Sequence, residues 1–80
     1  MSTTLARLPV SQTAVLTRVD GKGSYRRRLL ELGFLPGTEV TVVRRVGIGN
    51  VLEVELRGSR ISLRITEAED LTVETSGVVR

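Results

Sequence analysis

Apolar and polar residues alternate most regularly between Val51 and Ile65. Leu52, Val54 and Leu56 alternate with Glu53, Glu55 and Arg57, and beyond Gly58-Ser59 the apolar Ile61, Leu63 and Ile65 alternate with Ser62 and Arg64. A period of two marks half-buried strands. Gly followed by Ser suits a two-residue type II′ hairpin turn, because Gly tolerates positive φ at the first turn position. With Arg57 opposite Arg60, Leu56 faces Ile61, Val54 faces Leu63 and Leu52 faces Ile65. All six apolar residues then share one face, and Glu53–Arg64 and Glu55–Ser62 share the other. A slip by one residue would mix the faces, so the register is strongly specified.

Weaker patterns flank this hairpin. Thr38–Val46 is rich in β-branched residues and predicts a strand. Val40 and Val42 point one way, but Val43 and Val46 break the alternation, which predicts a bulge or bend near Arg44. Ala14–Val19 and Leu71–Glu74 predict a first and a last strand. Ser24 can cap a helix over Tyr25–Leu32, ended by Gly33 and Pro36. Tyr25, Leu29 and Leu32 share one face of that helix. Thr66-Glu67-Ala68-Glu69 matches a capping box and predicts a helical turn, with Glu69 as the capping carboxylate. The sum is a mainly β fold: a small five-stranded SH3-like β-barrel with one short α-helix between strands 1 and 2 and a helical turn before strand 5. One domain spans residues 1–80, with its core at about 8–75 and loose tails at Met1–Arg7 and Thr75–Arg80.

Composition narrows the chemistry. The chain has 80 residues, 40% of them hydrophobic, and contains neither Cys nor His. Disulfides and imidazole- or thiolate-bound metals are therefore unavailable, and stability must come from one apolar core. The commonest general base and the best thiol nucleophile are also missing. We expect no enzyme, no catalytic residues, no cofactor and no metal site. Glu67, Glu69 and Asp70 read as a capped and solvated cluster before they read as an oxygen site for a hard cation. Asp20-Gly21-Lys22-Gly23 lacks the signature of a phosphate loop. No apolar run reaches the ~18 residues that cross a bilayer, and Met1–Arg7 does not resemble a secretion signal. The expectation is a cytoplasmic protein without membrane insertion.

The formal charge is +3, and eleven of the twelve basic residues are Arg. Arg26-Arg27-Arg28 is the densest cluster. Leu30 lies on the helix side between Arg26 and Arg27, and an apolar residue flanked by guanidiniums suits a protein interface. Leu30 tucked under a neighbouring loop is the competing reading. Arg57 and Arg60, flanking the hairpin turn, could meet an acidic partner or simply splay into water. The candidate partner-binding residues are thus Arg26, Arg27, Leu30, Arg57 and Arg60. An alternative use of the same arginines is an RNA-binding SH3-like or KOW-like barrel, but Tyr25 and Phe34 are the only aromatics available for base stacking. Weak self-association through an unpaired strand edge is a third reading.

The run from Arg27-Arg28-Leu29-Leu30-Glu31-Leu32-Gly33-Phe34-Leu35-Pro36-Gly37 to Thr38-Glu39-Val40 resembles the FeoA family of bacterial ferrous iron uptake. So do Arg44-Arg45, Leu52-Glu53-Val54, Arg57-Gly58 and Ile61-Ser62-Leu63-Arg64 ahead of Glu67-Ala68. The likeness runs from about Val15 to Glu74 and is most specific over Leu29–Gly37. It implies an SH3-like barrel that binds and modulates the FeoB-type GTPase iron permease and is recruited by it to the inner face of the membrane, without itself carrying iron. Pro9-Val10 and Gly49-Asn50 depart from the family's usual loop residues.

Overall fold

The computed structural model describes residues 2–48 and 50–75. In chain order these form β1 (Ser2–Thr4), a 3-10 turn (Leu5–Arg7), β2 (Thr13–Val19), α1 (Gly23–Glu31), β3 (Glu39–Val46), β4 (Val51–Leu56), β5 (Ser59–Arg64), α2 (Ile65–Ala68) and β6 (Leu71–Glu74). The strands make one antiparallel sheet in the order β1-β6-β2-β3-β4-β5. The mainly β architecture expected from the alternation is present. The strand count is six instead of five, and among the described residues the ladder ends at β1 and β5 instead of closing into a ring.

The additional strand comes from the segment expected to be a loose tail. Ser2, Thr3 and Thr4 pair with Glu74, Val73 and Thr72. Leu5 and Leu8 are fully buried. Arg45 Nη2 donates to the carbonyls of Ala6 at 2.6 Å and Leu8 at 3.0 Å, clamping the segment from β3. Two carbonyls aimed at one guanidinium form the charge-assisted kind of hydrogen bond, roughly twice as strong as a neutral one. The expected C-terminal tail beyond Thr75 lies outside the described residues.

The β4–β5 hairpin keeps its predicted faces from Leu52 to Leu63 but not its predicted turn, and Ile65, expected to face Leu52 in the strand, begins α2 instead. Leu56 pairs with Ser59, Val54 with Ile61 and Leu52 with Leu63. The turn residues are therefore Arg57 and Gly58, with φ of +52° and +81°. Positive φ at both central positions defines a type I′ turn, whose twist matches that of the strands. The bulge expected near Arg44 is found between Val42 and Arg44. Leu52, Val54, Leu56 and Leu63 point into a core that they share with Leu16, Val40, Val42, Leu71 and Val73 of the other strands and with Leu5, Leu29 and Phe34 outside the strands. No polar side chain is buried among the described residues.

α1 starts at Gly23, with Lys22 as N-cap and no side-chain cap bond, so Ser24 lies inside the helix and does not cap it. In α2 the capping carboxylate is Glu67, which accepts the Arg64 N–H at 2.8 Å, and not Glu69.

Candidate partner-docking surface

The end of α1 is built by a run of local hydrogen bonds. Gly33 has φ +110° and donates to the Leu30 carbonyl at 3.0 Å; Phe34 donates to the Leu29 carbonyl at 3.1 Å. This is a Schellman motif, which needs a residue free to enter the left-handed region. It drives Phe34 inward onto Leu29, both in the core. Leu35-Pro36-Gly37-Thr38 then makes a turn closed by Thr38 N–H to the Leu35 carbonyl at 3.0 Å, with Gly37 at φ +95°. Pro and then Gly at the two central positions suit a type II turn. Gly37 N–H and Thr38 C=O bond the carbonyl and N–H of Leu16, which fixes the turn to β2.

That rigid platform leaves apolar surface in water. Leu32 and Leu35 are each 40% exposed. Leu32 sits at the C-cap and does not share the buried face with Leu29, as the helical spacing had suggested. Leu35, Pro36, Glu39 and Arg57 line a shallow groove between this turn and the β4–β5 hairpin tip. The sequence reading selected Arg57 but missed Leu32 and Leu35. The available signal was an apolar residue placed between a helix-ending Gly and a Pro.

The other candidates sort by what holds them. Arg26 Nε donates to the Val19 carbonyl at 3.1 Å, so its guanidinium ties α1 to β2. Leu30 is half-buried and packs against the core, the tucked reading. Arg27 is exposed on the helix surface. Arg60 faces Glu55 across the ladder, so Arg57 and Arg60 are not opposite each other. Arg18 and Arg44 are ion-paired, to Asp20 at 2.8 Å and Glu53 at 3.1 Å. No ion pair holds Arg27, Arg28, Arg57, Arg60 or Arg64 among the described residues. Those five guanidiniums keep their charge available to a partner.

A second, polar cleft lies between the start of α1 and the end of β5. It is lined by Tyr25 and Arg28 of α1, Ser62 and Arg64 of β5, and Glu67 and Asp70. The Tyr25 ring rests on Gly21, where a Cβ would fall 2.8 Å from Tyr25 Cδ2. Partial burial and then the charge and hydrogen bond of Asp70, with Glu67 adding to them, push the Tyr25 phenol up to about 12. A folded-state value above the ~10 of a free phenol means that Tyr25 contributes stability fully present below pH ~10. That contribution is lost as the pH rises through about 12. With one Tyr and no Trp in the chain, ultraviolet difference spectroscopy reads this ionisation directly. Asp70→Asn is expected to move the midpoint part of the way back towards 10. An unmoved midpoint would show that Asp70 does not act on the phenol.

A family model described as the FeoA domain matches residues 3–75. The chain belongs to the FeoA family. This FeoA domain is 34% identical over 70 residues to the Fe(2+) transport protein A/Fe(2+) transporter FeoB fusion protein of Porphyromonas gingivalis. The match takes in 88% of this chain but only 8% of that relative's length. The solution structure of FeoA from Chlorobium tepidum is 31% identical with a TM-score of 0.87, covering 98% of this chain and 74% of that one. The crystal structure of Stenotrophomonas maltophilia FeoA is 37% identical with a TM-score of 0.78, covering 90% and 89%. That protein was solved with zinc and is described as an SH3 domain protein. In this FeoA domain no three or more His, Cys, Asp or Glu side chains gather at a common point among the described residues. Among the described residues no helix is long and apolar enough to cross a membrane.

Proposed function

We propose that this FeoA domain is a small non-catalytic accessory protein of ferrous iron uptake, acting in the cytoplasm by docking onto a FeoB-type GTPase permease and modulating it. The observation that carries the reading is the P. gingivalis relative, in which a segment 34% identical to this chain belongs to one polypeptide named as a fusion of transport protein A and transporter FeoB. Fusion converts an encounter between two proteins into an intramolecular one and raises their effective concentration. Selection for such an arrangement is understandable where the two parts work in contact. The exposed Leu35 beside Arg57, with exposed Leu32 nearby in sequence, offers the mix of apolar anchor and guanidinium that interfaces favour.

The test is capture of the permease from detergent-solubilised membranes by the full chain, with and without nuclease. We expect the FeoB-type permease in both samples. Arg27→Glu and Arg57→Glu, singly, are expected to weaken its capture about tenfold, because reversing a rim charge slows steered association. Their circular dichroism should match that of the unmodified chain. Failure to recover the permease overturns the accessory reading, and recovery of RNA-bound proteins only without nuclease replaces it with an RNA-binding barrel.

A further inference from the structure

Among the described residues the sheet stops at β5, and what β5 presents there is specific. A two-residue hairpin loop makes its flanking pair, Leu56–Ser59, a doubly hydrogen-bonded one. Pairs then alternate along an antiparallel ladder, so Val54–Ile61 and Leu52–Leu63 are also bonded. The residues between them, Arg60, Ser62 and Arg64, turn their backbone N–H and C=O groups away from β4. The Arg64 N–H is taken by Glu67. The N–H groups of Arg60 and Ser62 have no partner among the described residues. The same three residues carry their side chains on the exposed face, which places two arginines, their Cα atoms roughly 13 Å apart, along the open edge. Arg57 lies in the turn at one end and Arg28 across the polar cleft at the other, with the carboxylates of Glu55 opposite Arg60 and of Glu67 and Asp70 in the cleft set among these cations.

We propose that the free edge of β5 receives an extended, carboxylate-bearing segment of a protein partner, which adds to the sheet as a further strand. This rests on the reading that the domain works by docking onto a protein, and it names the chemistry of what docks. Strand addition draws affinity from main-chain hydrogen bonds and specificity from alternate side chains. Carboxylates at every second position would meet Arg60 and Arg64 on one face, while the segment's carbonyls receive the Arg60 and Ser62 N–H groups. A second copy of this chain is the wrong occupant. Antiparallel self-pairing about Ser62 sets Arg60 of one copy opposite Arg64 of the other, and like charges directly opposite destabilise a ladder.

Amide hydrogen exchange on the full chain tests this with two probe peptides, one alternating Glu with Val and one alternating Lys with Val. The Glu peptide is expected to slow exchange at the Arg60 and Ser62 amides about tenfold, with little change at Ile61 and Leu63. The Lys peptide should slow neither. Ser62→Pro removes an outward donor without breaking the β4–β5 ladder, and should abolish protection at Arg60. The double variant Arg60→Glu/Arg64→Glu, which leaves the backbone untouched, should exchange the preference to the Lys peptide. Unprotected Arg60 and Ser62 amides with the Glu peptide, or equal protection by both peptides, overturns the proposal. Capture of the permease separates this from the functional reading. If Ser62→Pro captures it as well as the unmodified chain does, the edge is not the docking site and the accessory role stands. If the unmodified chain captures none, the accessory role falls, and the peptide result alone decides the edge.

Discussion

Replacing Phe34 with Ala is expected to cost the domain at least a quarter of its stability and to shift its unfolding midpoint sharply downward. Phe34 is the chain's one Phe and is fully buried. It occupies the position after the Schellman glycine, where its N–H bonds the Leu29 carbonyl at 3.1 Å. Truncating a buried Phe to Ala costs about 3–5 kcal/mol through lost transfer energy and the cavity left behind. A domain of this size has a total stability of only about 4–12 kcal/mol at 0.05–0.15 kcal/mol per residue. One substitution therefore removes between a quarter and all of it. Urea unfolding followed by circular dichroism is the measurement. Leu35→Ala, one residue along but 40% exposed, should move stability by no more than about 0.5 kcal/mol. A Phe34→Ala midpoint as close to that of the unmodified chain would show that the core is not organised around Phe34.

The second large effect concerns the N-terminal segment. Leu5→Ala is expected to cost about 2–5 kcal/mol, the range for emptying a fully buried Leu site. Deleting residues 2–7 should cost at least as much. The deletion removes the Leu5 side chain, the three β1–β6 pairs and one of the two carbonyls that hold the Arg45 guanidinium. It also bares the edge of β6. In a domain of 60–100 residues, 1 kcal/mol corresponds to about 4–8 °C in Tm, so either change should lower Tm by about 8 °C or more. An unchanged Tm after the deletion would return the segment to the status of a dispensable tail.

Both predictions depend on positions that the hydrophobic pattern treats differently. Phe34 lies inside the stretch Leu29–Gly37, whose helix stop is legible because Gly33 and Pro36 act through their own φ preferences. Leu5 lies in a stretch with no period at all. Its burial depends on β6, 66 or more residues away in sequence, and on Arg45 reaching back from β3. Local propensity contains no term for such contacts. The docking candidates divide in the same way. Arg27 is exposed as its place among charged neighbours implies, whereas Arg26 turns out to be committed to the Val19 carbonyl. Leu30 packs against the core and Leu32 does not, because α1 begins at Gly23 and ends at Glu31, which leaves Leu32 at the cap.

The β4–β5 hairpin shows where the division falls. Alternation from Val51 to Ile65 determines which side chains face the core, since a strand has a period of two and burial rewards only one parity. Pairing Leu56 with Ile61 or Leu56 with Ser59 satisfies that parity equally, because the two registers differ by two residues. The choice belongs to the turn. Arg57 and Gly58 both at positive φ give a type I′ connection matched to the strand twist. That register sets Arg60 and Ser62 outward on an edge that no described strand covers. Sequence periodicity thus determined the faces and the mainly β class, and the φ preferences of Gly33 and Pro36 determined the helix stop. The six-strand order, the capture of the N-terminal segment and the exposed edge arise only from contacts between residues far apart in the chain, whose energies appear once the sheet has assembled.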